Sequence, residues 1–284
     1  MELSVILVNY NSTEDLKNCL TSLHRHLSNL AFECCVVDNA SATGDLDALQ
    51  RTFPAVKIIR NSQNFGFAKA MNQGLRETHA PFVLWINPDA ALQDKGITIL
   101  VEFLKQNPAV GIVGPKILDP DGGDQLSCRS FPSYETALFS RYSFLTRLFP
   151  KNPFSKRYLG TDRDRSQIQT VDWVSGACLL HKRELSEKLG GLDERFFMYC
   201  EDTDFCLRAR QAGWSTVYHP GATVEHSIGA SSQGMPLKMI QAHHQSMWHY
   251  YTKHFKRNPL KDFAVCSAIK LRCLWKILLH ALIP

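Results

Sequence analysis

The stretch Leu3-Ser4-Val5-Ile6-Leu7-Val8, followed by Asn9-Tyr10-Asn11, decides the fold. A nearly continuous β-rich apolar run predicts a strand buried on both faces, and this one ends on amides. Ser12, with Asp15 three residues later, signals a helix start; Leu16, Cys19, Leu20 and Leu23 then follow helical spacing. The alternation continues outward. Strands are predicted at Phe32 to Asp38, Val56 to Arg60, Phe82 to Asn87 and Val110 to Val113. Helices are predicted around Leu46 and Leu49, over Gly66 to Arg76 and over Ile97 to Leu104. Repeated β-α units of this length imply an α/β fold, a mostly parallel sheet with helices on both faces.

After Pro115 the pattern changes. Asp119-Pro120-Asp121-Gly122-Gly123 is a strong turn signal. Leu138, Tyr142, Leu145 and Phe149 form one apolar helical stripe, followed by a Pro/Lys/Arg-rich loop. Strand character returns at Val171 to Leu180, at Thr216 to Tyr218 and at Thr223 to Glu225. Helices are predicted near Leu185, over Glu201 to Gln211, and from Leu237 onward. The expected organisation is one domain over 1–232, with halves 1–115 and 116–232, and a helical C-terminal segment over 233–284.

Composition narrows the class. At 284 residues, 44% hydrophobic and 21% charged, the chain is globular, with a net charge of only +5. The excess is local: seven basic against two acidic residues lie between Phe139 and Arg165, and seven against Asp262 from Lys253 onward. An acidic body with two basic segments points to an anionic partner at particular places, not to nucleic acid. Nine cysteines without a C-x-x-C pair, several within apolar runs, suggest a cytoplasmic protein with neither zinc ribbon nor redox pair. No basic leader precedes the first strand, and no apolar run reaches the roughly 18 residues of a spanning helix.

In open α/β sheets ligands bind beyond the carboxyl ends of the strands. Here those ends carry Asn9-Tyr10-Asn11, Asp38-Asn39, Asn61 and Asn87-Pro88-Asp89. Each alone could be a turn former; four in a row point to a binding edge. No glycine-rich dinucleotide fingerprint or P-loop occurs. A second concentration is Phe196-Phe197-Met198-Tyr199-Cys200-Glu201-Asp202-Thr203-Asp204. Three close carboxylates need a cation, donors or shared protons, and the aromatic run could raise one pKa towards a general base. An acidic first turn complementing the helix dipole would look the same. His226, after an apolar strand, gains weight as a metal ligand only if it meets Asp89 in space.

Seven spaced motifs together resemble the family-2 inverting glycosyltransferases of GT-A fold, in particular their rhamnosyltransferase-like branch. The matching text is Val5 to Asn11, Val36 to Ser41, and Asn64 to Ala68 with Asn72 and Gly74. It continues with Asn87 to Ala90, Trp173 to Ala177, Gly191 to Glu194 with Phe196 to Asp204, and His226 with Gly229 and Ser231. The resemblance implies a GT-A, Rossmann-like domain that binds a nucleotide-sugar donor through Asn9, Asn11, Asp38, Asn39, Asn64, Gly66, Asn72, Asn87 and Asp89. It implies Asp202 as catalytic base, Trp173, Gly176, Glu201 and Asp204 on the acceptor side, and Asp89 with His226 on Mg2+ or Mn2+. Asn87 stands where the family usually has the first Asp of D-x-D, which removes one negative charge from the metal site.

The implied reaction moves a sugar, L-rhamnose first, from a dTDP- or UDP-sugar to a hydroxyl of a saccharide or lipid-linked acceptor in polysaccharide synthesis. Rival readings are transfer of a hexosamine or galactofuranose, and a non-catalytic nucleotide-sugar-binding subunit. In the last helix Lys261, Arg272, Lys276 and His280 share about a third of a turn opposite a mostly apolar remainder. Such a helix fits the inner-membrane surface, or else docking on the domain or in a homodimer.

Overall fold

Strand β1 (Leu3–Asn9) is buried along its whole length in the middle of a parallel ladder. Its neighbours are β2 (Phe32–Asp38) and β4 (Phe82–Ile86), and β3 (Lys57–Arg60) extends the ladder beyond β2. The computed structural model describes residues 1–133, 164–227, 236–255 and 258–282. The stripe from Leu138 to Phe149, most of the first basic segment, and Gly229 and Ser231 lie outside the described residues.

Alternation along β1 sorts its side chains into two cores. Leu3, Val5 and Leu7 pack with Leu16, Leu20 and Leu23 of α1 (Thr13–His26) and with Leu100 and Leu104 of α4 (Gly96–Gln106). Ile6 and Val8 face the other side, with Ala68 and Met71 of α3 (Phe67–Arg76) and with Trp85 and Phe205. The approach of α3 is close: a Cβ on Gly74 would meet Ile6 Cγ2 at 2.4 Å. The short α2 (Leu46–Thr52) joins β2 to β3 and is capped by Asp45, whose side chain accepts from Ala48 N.

The parallel ladder is the first half of a mixed sheet. After β5 (Ala90–Leu92) and β6 (Val110–Leu118) the chain passes through the short β7 (Cys128–Arg129), β8 (Gln169–Val171) and β9 (Trp173–Val174). It re-enters the sheet as β10 (Cys178–Lys182), antiparallel to β4 and β6 and lying between them. The reversal has a plain cause: β6 ends at the carboxyl edge and the excursion returns to that edge, so β10 must run back down the sheet. Helices α5 (Arg183–Leu189) and α6 (Glu201–Gln211) follow, then β11 (Ser215–His226), parallel to β6. The two strand segments predicted around 216–218 and 223–225 are one strand with a register shift between His219 and Thr223. The nine-stranded order is β3-β2-β1-β4-β10-β6-β11-β5, with β8 on β11; β7 and β9 form a separate pair.

Helices α7 (Pro236–His254) and α8 (Pro259–Leu282) complete the chain. Asp204, on α6, binds Lys253 and His254 of α7, and Tyr251 Oη donates to Asp262 Oδ1 of α8. The polar group of α8, Lys261, Arg272, Lys276 and His280, is not exposed as a unit. Arg272 and Lys276 are half-buried near His243 and His244 of α7; with burial they depress the pKa of His243, to about 4. Leu260, Phe263, Leu271, Leu274, Trp275 and Leu278 are exposed instead.

Candidate active site

Four strand ends and one helix start converge on the carboxyl edge. At the first, Asn9 Nδ2 donates to Asp38 Oδ1 at 2.7 Å, and Ser41 closes the turn with its Oγ on Oδ1 (2.6 Å) and its N on Oδ2 (3.0 Å). Asn9 Oδ1 is buried without a hydrogen-bond partner. Asn11 holds a left-handed backbone (φ 55°) while Asn11 Oδ1 accepts from Ala42 N, and Ala40 is left-handed too (φ 60°). Asn39 Nδ2 donates to Gly66 O, and Asn39 Oδ1 accepts from Asn61. Thus Asn9, Asn11, Asp38, Asn39 and Asn61 are one hydrogen-bonded set.

The loop before α3 is held against the acidic segment. Asn64 Oδ1 accepts from Gly66 N, and Phe67 N donates to Phe197 O. Gly66 has φ 86°, and a Cβ there would stand 2.5 Å from Phe197 O. Only glycine suits this position. Asn72 clamps a different contact: its Oδ1 accepts from Leu192 N, and its Nδ2 donates to Leu192 O and Glu194 Oε1. Both amide hydrogens and one lone pair of Oδ1 are thus used to brace the acidic loop.

Strand pairing brings Asp89 and His226 together across 137 positions. β5, not predicted from the sequence, lies antiparallel to β11 with Ala90 opposite His226. His226 Nε2 is then 3.3 Å from Asp89 Oδ1 and 3.4 Å from Asn87 Nδ2. Asp89 Oδ1 is buried and receives no hydrogen bond. An unsatisfied carboxylate oxygen beside an imidazole nitrogen fits a divalent cation: adjacent ligands of an octahedral Mg2+, each about 2.1 Å away, stand about 3 Å apart. Among the described residues no group of three or more His, Cys, Asp or Glu side chains could hold a metal ion. The remaining positions of such an ion must therefore be filled by oxygens from elsewhere, and diphosphate suits them.

The acidic segment begins with two left-handed non-glycine residues, Tyr199 (φ 71°) and Cys200 (φ 66°). Each such conformation costs of order 1–3 kcal/mol and collects at functional sites. They aim the first turn of α6 at the sheet edge. Gly176 N donates to Asp202 Oδ2 at 3.0 Å, while Thr203 N and Oγ1 donate to Oδ1. Burial raises the pKa of Asp202; these donors and Arg129 moderate the shift. Glu201 is buried, its pKa is raised well above the usual value by burial and by Asp202, and its Oε2 has no partner.

Asp204 lies deeper than Glu201 and Asp202. It has no exposure, and it accepts from Arg208 Nε (2.7 Å), Lys253 Nζ (2.6 Å) and His254 Nε2 (2.8 Å). Burial alone would raise its pKa, but these three partners hold it below the ordinary value. Asp204 therefore joins α6 to α7. Trp173 is also largely buried, with Nε1 donating to Ser130 O and the Arg129 guanidinium 5.4 Å from its ring.

Two residues at the site escaped the sequence reading. Arg129, on β7, carries the positive charge felt by Asp202. Gln125 accepts from His226 through Oε1 (3.1 Å). Neither lies in a periodic segment or a charge cluster; only the turn signal at 119–123 marked the neighbourhood.

The model of the family described as Glycosyl transferase family 2 matches residues 4–190. The chain is 31% identical over 261 residues to an N-acetylglucosaminyl-diphospho-decaprenol L-rhamnosyltransferase of Mycobacterium tuberculosis, covering 87% of this chain and 82% of that one. It is 24% identical over 175 residues to the rhamnosyltransferase WbbL of Escherichia coli K12, covering 61% and 62%. Among solved structures, the mannosyltransferase PcManGT from Pyrobaculum calidifontis, in complex with GDP-Man and Mn2+, superposes with a TM-score of 0.61 at 19% identity. It covers 96% of this chain and 71% of its own. That likeness is one of fold.

Proposed function

The chain belongs to glycosyl transferase family 2 and is a glycosyltransferase, and from that premise we propose that it transfers L-rhamnose, with inversion, from dTDP-rhamnose to a lipid-linked saccharide. The observation that carries the reading is the link through two adjacent residues. Gly176 N binds the base candidate Asp202, and Ala177 O accepts from Asn87 N, beside Asp89 and His226. The base and the leaving-group end of one reaction are thereby joined by a single rigid turn. The donor half is 1–115 and the acceptor half 116–232.

In this reading Asp38 Oδ2, which among the described residues accepts from Ser41 N, takes the ring N–H of a pyrimidine base. Asp89 and His226, with Asn87 adjacent, would hold a divalent cation, which would supply charge neutralisation for the departing diphosphate. Asp202 accepts the acceptor's hydroxyl proton. The freed oxygen pair forms the new bond to the anomeric carbon from the face opposite the leaving oxygen. That carbon–oxygen bond breaks, and the nucleoside diphosphate departs with its electron pair. One displacement inverts configuration and requires no protein nucleophile. Glu201, whose pKa burial raises, stands beside Asp202 as the second carboxyl of the acceptor side. The assay is transfer from dTDP-rhamnose, UDP-galactofuranose and UDP-N-acetylglucosamine to a diphosphate-linked N-acetylglucosaminyl lipid, with the product's anomeric configuration read by NMR. Retained configuration overturns the mechanism, and transfer of a sugar other than rhamnose overturns the donor.

An acceptor of that kind lies in a membrane, and α8 supplies a surface for it. No helix among the described residues is long and apolar enough to cross one. At 100° per residue the seven large exposed apolar side chains of α8, Leu279 among them, cover a little under half of its circumference, with Lys261 and Lys270 at the edges. An apolar stripe with basic margins and an interfacial Trp275 suits an anionic bilayer surface. Replacing Leu274 and Leu278 by Glu should abolish flotation with phosphatidylglycerol vesicles. Unchanged flotation with a halved solution mass would assign the stripe to a homodimer instead.

A further inference from the structure

The turn at 119–123 has a purpose beyond reversing the chain. Asp119 N donates to Gly123 O, Gly122 N donates to Asp119 O, and Gln125 N donates to Ile117 O. These bonds fix Gln125 beside the end of β11. The direction of its amide is set by what surrounds it. Gln125 Nε2 faces two atoms that can only accept, Asp119 Oδ1 at 2.8 Å and His226 O at 2.5 Å. The nitrogen must therefore lie on that side, and Gln125 Oε1 must be the atom 3.1 Å from His226 Nδ1. An amide oxygen is an acceptor, so Nδ1 carries the proton. In the neutral ring Nε2 is then a bare lone pair, facing Asn87 Nδ2 at 3.4 Å and Asp89 Oδ1 at 3.3 Å.

We infer that Gln125 is a positioning residue, which holds His226 in the Nδ1–H tautomer so that Nε2 is presented with Asp89 to a divalent cation. This rests on the metal reading of the preceding subsection and deepens it. Among the described residues Asp89 and His226 are the two strong ligands, so the rotamer and tautomer of the imidazole matter more than in a crowded site. Asp89 Oδ1, buried 3.3 Å from Nε2 and without a hydrogen bond, is the second group left for such an ion.

Two readouts test this, one of them free of metal. Long-range 1H–15N correlation on 15N-histidine-labelled protein at about pH 8 reports the His226 tautomer, assigned by comparison with His226→Gln. Mn2+ paramagnetic resonance with saturating dTDP reports uptake of the ion. Wild type should show Nδ1–H. Gln125→Leu should lose that preference and bind Mn2+ about 10–100-fold more weakly. Gln125→Glu keeps an acceptor for Nδ1–H while giving up the donor contacts of Gln125 Nε2; it should keep the Nδ1–H tautomer even if the leucine variant folds poorly. An Nε2–H tautomer in wild type overturns the inference, as does equal Mn2+ affinity in a folded Gln125→Leu protein. Wild type that shows Nδ1–H but takes up no Mn2+ with dTDP overturns the metal reading itself.

Discussion

Gly176 N donates to Asp202 Oδ2 at 3.0 Å, which ties the proposed base to the turn that enters β10. Asp202→Asn keeps an acceptor for that bond and removes the proton-accepting carboxylate. Transfer should fall about 10²–10⁴-fold, the usual contribution of a general base, with dTDP affinity near that of wild type. Parallel turnover and calorimetry check this. Loss of nucleotide binding would make Asp202 a binding residue.

The pH profile follows from the same carboxylate. Burial raises the pKa of Asp202, so kcat/KM should fall on the acid side at a pH above the ordinary carboxylate range, as the base becomes protonated. Arg129 opposes that shift. Arg129→Gln should therefore move the acid limb to higher pH. A limb that stays in place would separate Arg129 from the base.

Glu201 has the opposite consequence for stability. Its folded pKa is raised well above the unfolded value, first by burial. Above the unfolded pKa the unfolded chain releases this proton while the folded protein retains it, so stability declines as pH rises towards the folded pKa. Glu201→Gln removes that dependence. Melting temperatures between pH 5 and 8 should fall more steeply for wild type than for the variant.

Asp204 is held below its ordinary pKa despite burial, because His254, Arg208 and Lys253 surround it. Its stabilisation is present above the unfolded pKa and is lost as pH falls through the folded one. Asp204→Ala should destabilise by about 3–5 kcal/mol, since it leaves buried cations unpaired. Denaturant unfolding measures this, and limited proteolysis should then cut within α7.

Gly66→Ala places a Cβ 2.5 Å from Phe197 O in a left-handed backbone. A loss of about 2 kcal/mol or more is expected. Donor affinity should weaken as well, because Asn39 Nδ2 binds Gly66 O.

The first four strands and their helices were legible because each carries its own period: Leu16, Leu20 and Leu23 read as one buried helix face in any context. The strand-end cluster was legible for a related reason, since α/β topology sends strand ends to one edge. The antiparallel β10 was not, because a short apolar run carries no direction. Nor was β5, three residues long and recognisable only by its pairing with β11. Asp204 looked like part of an acidic site because Lys253 and His254 lie some fifty positions away. On α8 the amphipathic division was visible, but which side would meet α7 depended on tertiary packing.

The central claim is that the carboxyl edge is a nucleotide-sugar site completed by a divalent cation. Calorimetric titration of dTDP, UDP and GDP, each with and without Mn2+, tests it most directly. Binding of dTDP or UDP should strengthen with Mn2+, and GDP should bind more weakly. A folded protein that binds none of the three, with or without the ion, would contradict it.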